Sequence, residues 1–549
     1  MISPTILCIY ALFGVSLSTV AASTASGPTI SLDYGTFLGV NDGNLTKFLG
    51  VPFSAPTARF ELPRAPSLLD GIQNATVFGP ACVQQAFSNT LPFTFQGPTV
   101  TSEDCLNLDV FSPAAHDAHS KFPVLVFLFG GGFDAGSSAA TDFRPVVERS
   151  ILIGEAVVIV APNYRVSAFG FLAGKEVAEA GLTNLGLRDQ IAALEWVQKY
   201  ISAFGGDPSR VVLGGLSAGA FSTGVHLVSN NGPSSDLFRG AFMVSGSPIA
   251  SPTVADGQST YDQLVAANNC TNARDTLDCL RQAPLDDFLL TVNQTSDVFG
   301  YRALSAAWRP RVDCDLIPRN PVDMVQDGAY LKVPVMIGNP DDEGTLFAYP
   351  SVNVTTDSEF VGYVHSNYLP TGSPAQISRV AELYPQDPSQ GAPFNTGSAN
   401  QLTPEFKRIA AFGGDLYLTG LRRFFVQRAS KTQNTWSWLS KRGKWTPYLG
   451  AYHTSDMALW FPANATDAEE ESVAVDALIN FINTLDPNVS AVPRASNLAI
   501  FWPKYQANST GLLTFSDPAV TNVTADDFRV EEMQYLINLH LDGVTAKGF

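Results

Sequence analysis

Positive charge is scarce in this chain. Its 549 residues hold 33 Lys and Arg against 51 Asp and Glu, a formal net charge of −18, and the four charged types together make up only 15%. An acidic balance of that size repels phosphate backbones and anionic lipid headgroups, which excludes nucleic acid as a partner. Low hydrophobicity is lacking as well. With 45% hydrophobic residues and 36 Phe, the chain is not of the disordered, solvating class. There is apolar material for one large α/β unit or about three ordinary domains. The acidity selects no partner by itself and is accounted for by the solubility of a large, weakly charged surface.

Long hydrophobic runs are lacking too, outside the N-terminus. A membrane span needs roughly 20 apolar residues. The stretch Ile6 to Val20 is uncharged but contains several Ser and Thr, and it is followed by Val20-Ala21-Ala22 before Ser23. Small residues three and one before a cut are what signal peptidase accepts, although only the terminal amine supplies the usual positive charge. Residues 1–22 are therefore predicted to be a signal peptide of a secreted, extracellular protein without a stable membrane anchor. The C-terminal Ala546-Lys547-Gly548-Phe549 is no retention signal.

Cysteines number six, and Cys8 falls in the signal. Cys270 and Cys279 most simply close a small loop, Cys82 and Cys105 then close a 22-residue segment, and Cys314 is left as a buried, inert thiol. Five unpaired thiols would suit a reducing cytosol and not a secreted chain. Asn-x-Ser/Thr sequons occur at Asn44, Asn74, Asn269, Asn293, Asn353, Asn464, Asn488, Asn508 and Asn522. Several are expected to carry glycan, Asn269 beside Cys270 least of all.

Short continuous apolar runs alternate with helical patterns. That is the signature of a largely parallel sheet covered on both faces. Strands are predicted at Val124 to Phe129, Ala156 to Ala161, from Val211 to Leu213, and at Val333 to Ile337. From Leu187, apolar residues at Ile191, Leu194, Val197 and Ile201 keep helical spacing until Gly205-Gly206-Asp207-Pro208 stops the helix. The acidic run Glu469 to Glu471 is read as a solvated helix start. No linker divides the chain, so residues 23–549 are read as one α/β domain with insertions.

Gly215-Leu216-Ser217-Ala218-Gly219 follows one of these strands and precedes a helical pattern. This is the setting of a nucleophile elbow, a turn so sharp that small residues must stand two positions either side of the serine. Attack by Ser217 on a carbonyl builds negative charge on oxygen, which needs preplaced donors. Gly130-Gly131-Gly132-Phe133, at an earlier strand end, offers amides unobstructed by side chains, and the Ala218 amide adds a third donor. Serine also needs a base. Of six histidines, His116 and His119 lie in a polar loop and His226 is on the elbow helix, pointing away; His453 sits in a late loop, where the order Ser, acid, His requires it. The acid belongs in Asn339-Pro340-Asp341-Asp342-Glu343-Gly344, and on composition any of its three carboxylates would serve.

Together these segments resemble the type B carboxylesterase/lipase family, the group of cholinesterases and large extracellular fungal lipases. The likeness is carried by Ser102-Glu-Asp-Cys-Leu-Asn-Leu-Asp-Val110, Phe129-Gly-Gly-Gly-Phe133, Asn163-Tyr-Arg-Val-Ser-Ala-Phe-Gly-Phe171, Phe204-Gly-Gly-Asp-Pro208, the elbow, Asp342-Glu-Gly344 and Gly450-x-x-His453. It implies an α/β-hydrolase fold without metal or cofactor, Glu343 as the acid of a triad with Ser217 and His453, and oxyanion donors at Gly131, Gly132 and Ala218. It also implies disulfides Cys82–Cys105 and Cys270–Cys279, with structural ion pairs Arg59–Glu103 and Arg165–Asp189.

One position departs from the family. A Glu usually precedes the nucleophile, and here Leu216 stands there, which argues against a choline-type substrate. In the fungal lipases the first disulfide loop is a long flap that opens at an oil interface. Here it is short and carries Phe87, Leu91, Phe93 and Phe95 among polar residues, which favours acyl or aromatic esters of partial solubility over strong interfacial dependence. Phe133, Leu216, Trp460 and Phe461 are predicted to line the substrate pocket. The expectation is a secreted serine carboxylic-ester hydrolase, monomeric or homodimeric, acting on small-molecule or lipid esters. Within the family the alternatives are a true lipase or sterol esterase and a feruloyl-type esterase. A non-catalytic binding protein on the same fold is the alternative of another class.

Overall fold

Apolar residues at both parities of the central strands predict a sheet buried on both faces, and a computed structural model of the chain has that architecture. It describes residues 27–88, 91, 97–116, 119–229, 236–464, 469–492 and 500–545. The predicted signal peptide lies outside the described residues, as do Phe93 and Phe95.

Eleven strands form the large sheet: β1 (Val40–Asp42), β2 (Leu45–Pro52), β3 (Asn107–Pro113), β4 (Phe122–Leu128), β5 (Val158–Pro162), β6 (Gly206–Leu216), β7 (Gly240–Val244), β8 (Val335–Pro340), β9 (Thr435–Lys441), β10 (Gly511–Ser516) and β11 (Val520–Ala525). Their spatial order is β1-β2-β3-β5-β4-β6-β7-β8-β9-β10-β11. The seven from β5 to β10 in that order run parallel, and the antiparallel strands sit at the two edges. The helices α1 (Arg144–Leu152), α2 (Leu185–Tyr200), α3 (Ala218–Val228) and α4 (Glu469–Thr484) cover it. Helix α2 passes into a short 3-10 turn that Gly205 ends at φ +81°, a left-handed stop that glycine adopts without steric cost.

Residue parity divides the core. On one face Val124, Val126, Leu128, Leu213, Met243 and Ile337 pack with α2 and α3; on the other Leu125, Phe127, Val212, Phe242 and Met336 pack with α1 and α4. Each fully buried side chain of this size contributes about 1.5–3 kcal/mol of transfer free energy. Every residue of α3 is buried, its polar members Ser222, Thr223 and His226 being hydrogen-bonded within the protein, so the helix lies wedged between the sheet and the chain beyond it.

Both expected disulfides are formed, with Cα separations of 4.9 Å for Cys82–Cys105 and 5.7 Å for Cys270–Cys279. Arg59 pairs with Glu103 and Arg165 with Asp189, both at 2.7 Å. Cys314 corrects the sequence expectation, because it is exposed. Asp313 accepts from the amides of Asp315 and Ile317, and that tight turn puts Cys314 at its tip. Among the sequons, Asn44, Asn74, Asn269, Asn293, Asn353, Asn464, Asn508 and Asn522 are exposed. Asn488 differs: its Nδ2, the atom a glycan would occupy, donates to Asp486 and to the Trp502 carbonyl.

Candidate active site

The end of β6 turns directly into α3, and Ser217 occupies the turn at φ +53° and ψ −117°. The demand for glycine on both sides is steric. A Cβ at Gly215 would stand 2.3 Å from the Gly219 carbonyl carbon, and one at Gly219 would stand 2.0 Å from the Leu128 carbonyl oxygen. Either contact would force the helix away from the sheet and withdraw the serine.

Ser217, Glu343 and His453, far apart in sequence, meet at the carboxyl ends of the strands. The Ser217 hydroxyl and His453 Nε2 are 2.9 Å apart, and His453 Nδ1 and Glu343 Oε2 are 2.5 Å apart. All three are buried, Glu343 to 1% exposure. The structure also separates the three carboxylates of the acidic turn. Lys444 Nζ donates to Asp341 at 2.7 Å and to both oxygens of Asp342. Asp342 further accepts from the amides of Ala451 and Phe394 at 2.8 Å. It therefore ties the acidic turn to the loop that carries His453, and Glu343 is the member that reaches the imidazole. At Asp341 burial opposes ionisation, but Lys444, Arg529 and Lys441 outweigh it and hold the carboxyl below its ordinary range.

The glycine loop lies beside the serine. Among the described residues, the N–H groups of Gly131 and Gly132 donate to no protein acceptor. Ala218 opens α3, where N–H groups lack partners within the helix. The loop is clamped from the far side: Val298 N–H donates to the buried Asp134 carboxylate at 2.6 Å, and a Cβ at Gly132 would collide with Val298 at 2.5 Å. Burial pushes Asp134 well above the carboxylate range, and the charge of Asp297 adds to it.

A narrow cavity of about 40 Å³ is lined by Ser217, His453 and Gly132. Phe133 lines it as expected from sequence, together with Phe221, Ile249, Val298, Leu304, Trp308, Arg309, Phe347 and Tyr417. Trp460 and Phe461 do not, which corrects their placement. Trp460 packs at 4.4 Å from Trp438 and 5.2 Å from Phe242, and Phe461 at 4.8 Å from Phe127, all in the core on the opposite face of the sheet. After His453 the chain crosses to that face, so closeness in sequence does not carry over into space. Leu216 is also absent from the lining; it alternates away from the pocket and packs against that opposite core.

Several site residues escaped the sequence reading. Phe221 follows the nucleophile by four residues on α3, one turn away, and Phe347 follows Glu343 by four, its ring 5.0 Å from the His453 ring. Helical spacing from each catalytic candidate would have found both. The segment from Val298 to Tyr417 carries no comparable signal. Asp456, buried and bonded to Trp438 Nε1 at 3.0 Å, carries no signal in the sequence; burial pushes it up to about 7, the Trp438 N–H opposing the shift and the Glu343 charge adding to it. His226 faces away, as expected, with Nε2 at 2.9 Å from Gln190 Oε1. In the loop of the first disulfide, Phe87 packs at 4.9 Å from Phe299, which stacks on Phe347.

Known proteins resemble this chain over nearly its whole length. Residues 26–535 match the Carboxylesterase family. Lipase 2 of Diutina rugosa is 38% identical over 520 residues, covering 90% of this chain and 92% of that protein. A secreted triacylglycerol lipase of Gibberella zeae is 36% identical over 537 residues, covering 93% and 90%. Among solved structures, EstA of Aspergillus niger superposes with a TM-score of 0.81 at 27% identity, over 94% of this chain and 99% of that one. The chain belongs to the carboxylesterase family and is a carboxylic-ester hydrolase of the α/β-hydrolase fold.

Proposed function

We propose that residues 23–549 form a single secreted catalytic domain, released from a signal peptide at 1–22, that cleaves hydrophobic acyl or aromatic esters through an acyl-enzyme. One observation carries this reading: the unbroken chain of contacts from the Ser217 hydroxyl through the His453 imidazole to Glu343. His453 Nε2 takes the hydroxyl proton as Oγ attacks the ester carbonyl. Glu343 accepts from Nδ1–H, holding the ring in that tautomer and stabilising the imidazolium. Amides of Gly131, Gly132 and Ala218 receive the oxyanion. The alcohol leaves with the proton from His453, and water repeats the sequence in reverse to free the acid.

The aromatic walls of the cavity, and Phe87 of the short first disulfide loop packed on Phe299, support the substrate class. Secretion is supported by relatives described as secreted lipases. Those same names favour a triacylglycerol lipase as the second reading. The test is labelling by a fluorophosphonate probe, together with turnover of p-nitrophenyl esters, triolein, a steryl ester and methyl ferulate. Ser217→Ala is expected to abolish labelling and to lower turnover by on the order of 10⁴-fold or more. Near-normal turnover in that variant refutes the assignment, and triolein as the best substrate selects the lipase reading.

A further inference from the structure

The cavity beside Ser217 is not uniformly apolar. Arg309 lines it, is only 6% exposed, and keeps Nη1 buried without a hydrogen-bond partner. Among the described residues no carboxylate stands at ion-pair distance from it, unlike the buried Arg59, Arg165, Arg408, Arg422 and Arg423, each paired with Asp or Glu. A second cation lies close by. Burial first, and the Arg309 charge next, bring Arg311 down to about 9, with Asp256 acting the other way.

Two more polar groups belong to residues of the same wall. Trp308 Nε1, which can only donate, is buried and unbonded, whereas the Tyr417 hydroxyl has Arg309 and Ser305 as neighbours, its ring centre 5.9 Å from the Arg309 guanidinium carbon. Burial pushes the Tyr417 phenol up, so it remains a neutral donor. A guanidinium does not shed its proton, and a buried charge without a counter-charge is costly. A guanidinium on the cavity wall with no carboxylate beside it therefore calls for a ligand group made of acceptors and bearing negative charge, and a carboxylate meets it in paired geometry.

We infer that Arg309 recognises a carboxylate at the far end of the acyl group, so that half-esters of dicarboxylic acids are preferred substrates. The inference rests on the reading of Ser217 as the nucleophile of an esterase and names the substrate class for that site. The guanidinium acts here as a specificity residue, since the carboxylate it binds is remote from the reacting carbonyl.

A matched pair of esters tests it. p-Nitrophenyl hydrogen adipate and p-nitrophenyl hexanoate have acyl chains of equal length, ending in a carboxylate and a methyl group. In Arg309→Met the ratio of kcat/KM for the adipate to that for the hexanoate is expected to fall at least about tenfold, with part of it restored in Arg309→Lys. A ratio unchanged by Arg309→Met overturns the inference. A measurement on the wild-type protein guards against a variant that fails to fold: free adipate is expected to inhibit p-nitrophenyl acetate hydrolysis at lower concentration than hexanoate, and weaker inhibition by adipate overturns the inference as well. Wild-type protein inert to p-nitrophenyl acetate and unlabelled by a fluorophosphonate points instead to failure of the esterase reading. Normal hydrolysis and labelling without carboxylate selectivity removes the Arg309 inference alone.

Discussion

The two faces of the central sheet are both rich in aromatic side chains, and they use them differently. Behind the sheet, Trp438, Trp460, Phe242 and Phe515 pack ring on ring at 4.4–6.1 Å and close the space between strands and helices. On the face of the elbow, Phe133, Phe221, Phe347, Trp308 and Tyr417 border a cavity that Arg309 also lines. Aromatic content alone therefore does not mark a binding site. What distinguishes the catalytic face is open volume beside the carboxyl ends of parallel strands. Asp456 stands at the boundary, bonded to Trp438 on one side and placed in the field of Glu343 and His453 on the other.

Truncating one ring on each face should separate their roles most strongly. Trp460→Ala should cost about 3–5 kcal/mol of stability, as for large core aromatics, while preference among esters stays constant in the protein that remains folded. Phe221→Ala opens the cavity instead; its thermal midpoint should fall less, and its kcat/KM ratio between long and short acyl esters should change. Equal losses of stability with no change of preference in either variant would erase the distinction.

Asp456 tests the boundary through pH. Its folded-state carboxyl titrates near 7, above the ordinary value of 3.8. The folded state thus holds this proton more tightly than the unfolded one, so the stability contributed is full at low pH and is lost as pH rises from about 4 to 7. Asp456→Asn keeps an acceptor for Trp438 Nε1 and cannot ionise. Its thermal midpoint relative to wild type should be higher at pH 8 than at pH 5, by the equivalent of up to a few kcal/mol, on the order expected for such a shift. A difference independent of pH between these values would count against a buried, neutral Asp456.

The smallest effect is expected at Leu216, whose side chain belongs to the opposite core. Leu216→Glu places a carboxylate next to the nucleophile and should move the acidic limb of the pH–rate profile by a few tenths of a unit up to about one. An unchanged limb shows that this position does not reach the catalytic field.

Much of the site was legible from local chemistry. The elbow glycines, the glycine loop and the three candidate acids lie in short contiguous segments whose steric and electrostatic needs can be stated residue by residue. The choice of Glu343 was not legible from composition, because it depends on Lys444 engaging Asp341 and Asp342. The pocket was half legible. Phe133 adjoins the glycine loop and stays there, whereas Trp460 and Phe461 follow His453 in sequence yet lie across the sheet. Cys314 was misplaced for a related reason, since a turn closed by Asp313 overrides the tendency of thiols to be buried.

The sequence alone was enough for the fold class and the class of reaction, and it points to Ser217 as the nucleophile. Strand runs, the elbow and the glycine loop impose local geometry that few side-chain patterns satisfy. The tertiary structure alone decided which carboxylate reaches His453, which aromatics face the cavity, and that Arg309 stands there without a counter-charge. Those outcomes depend on side chains brought together across hundreds of residues by one sheet, and strand parity and packing, not proximity along the chain, select which of them meet.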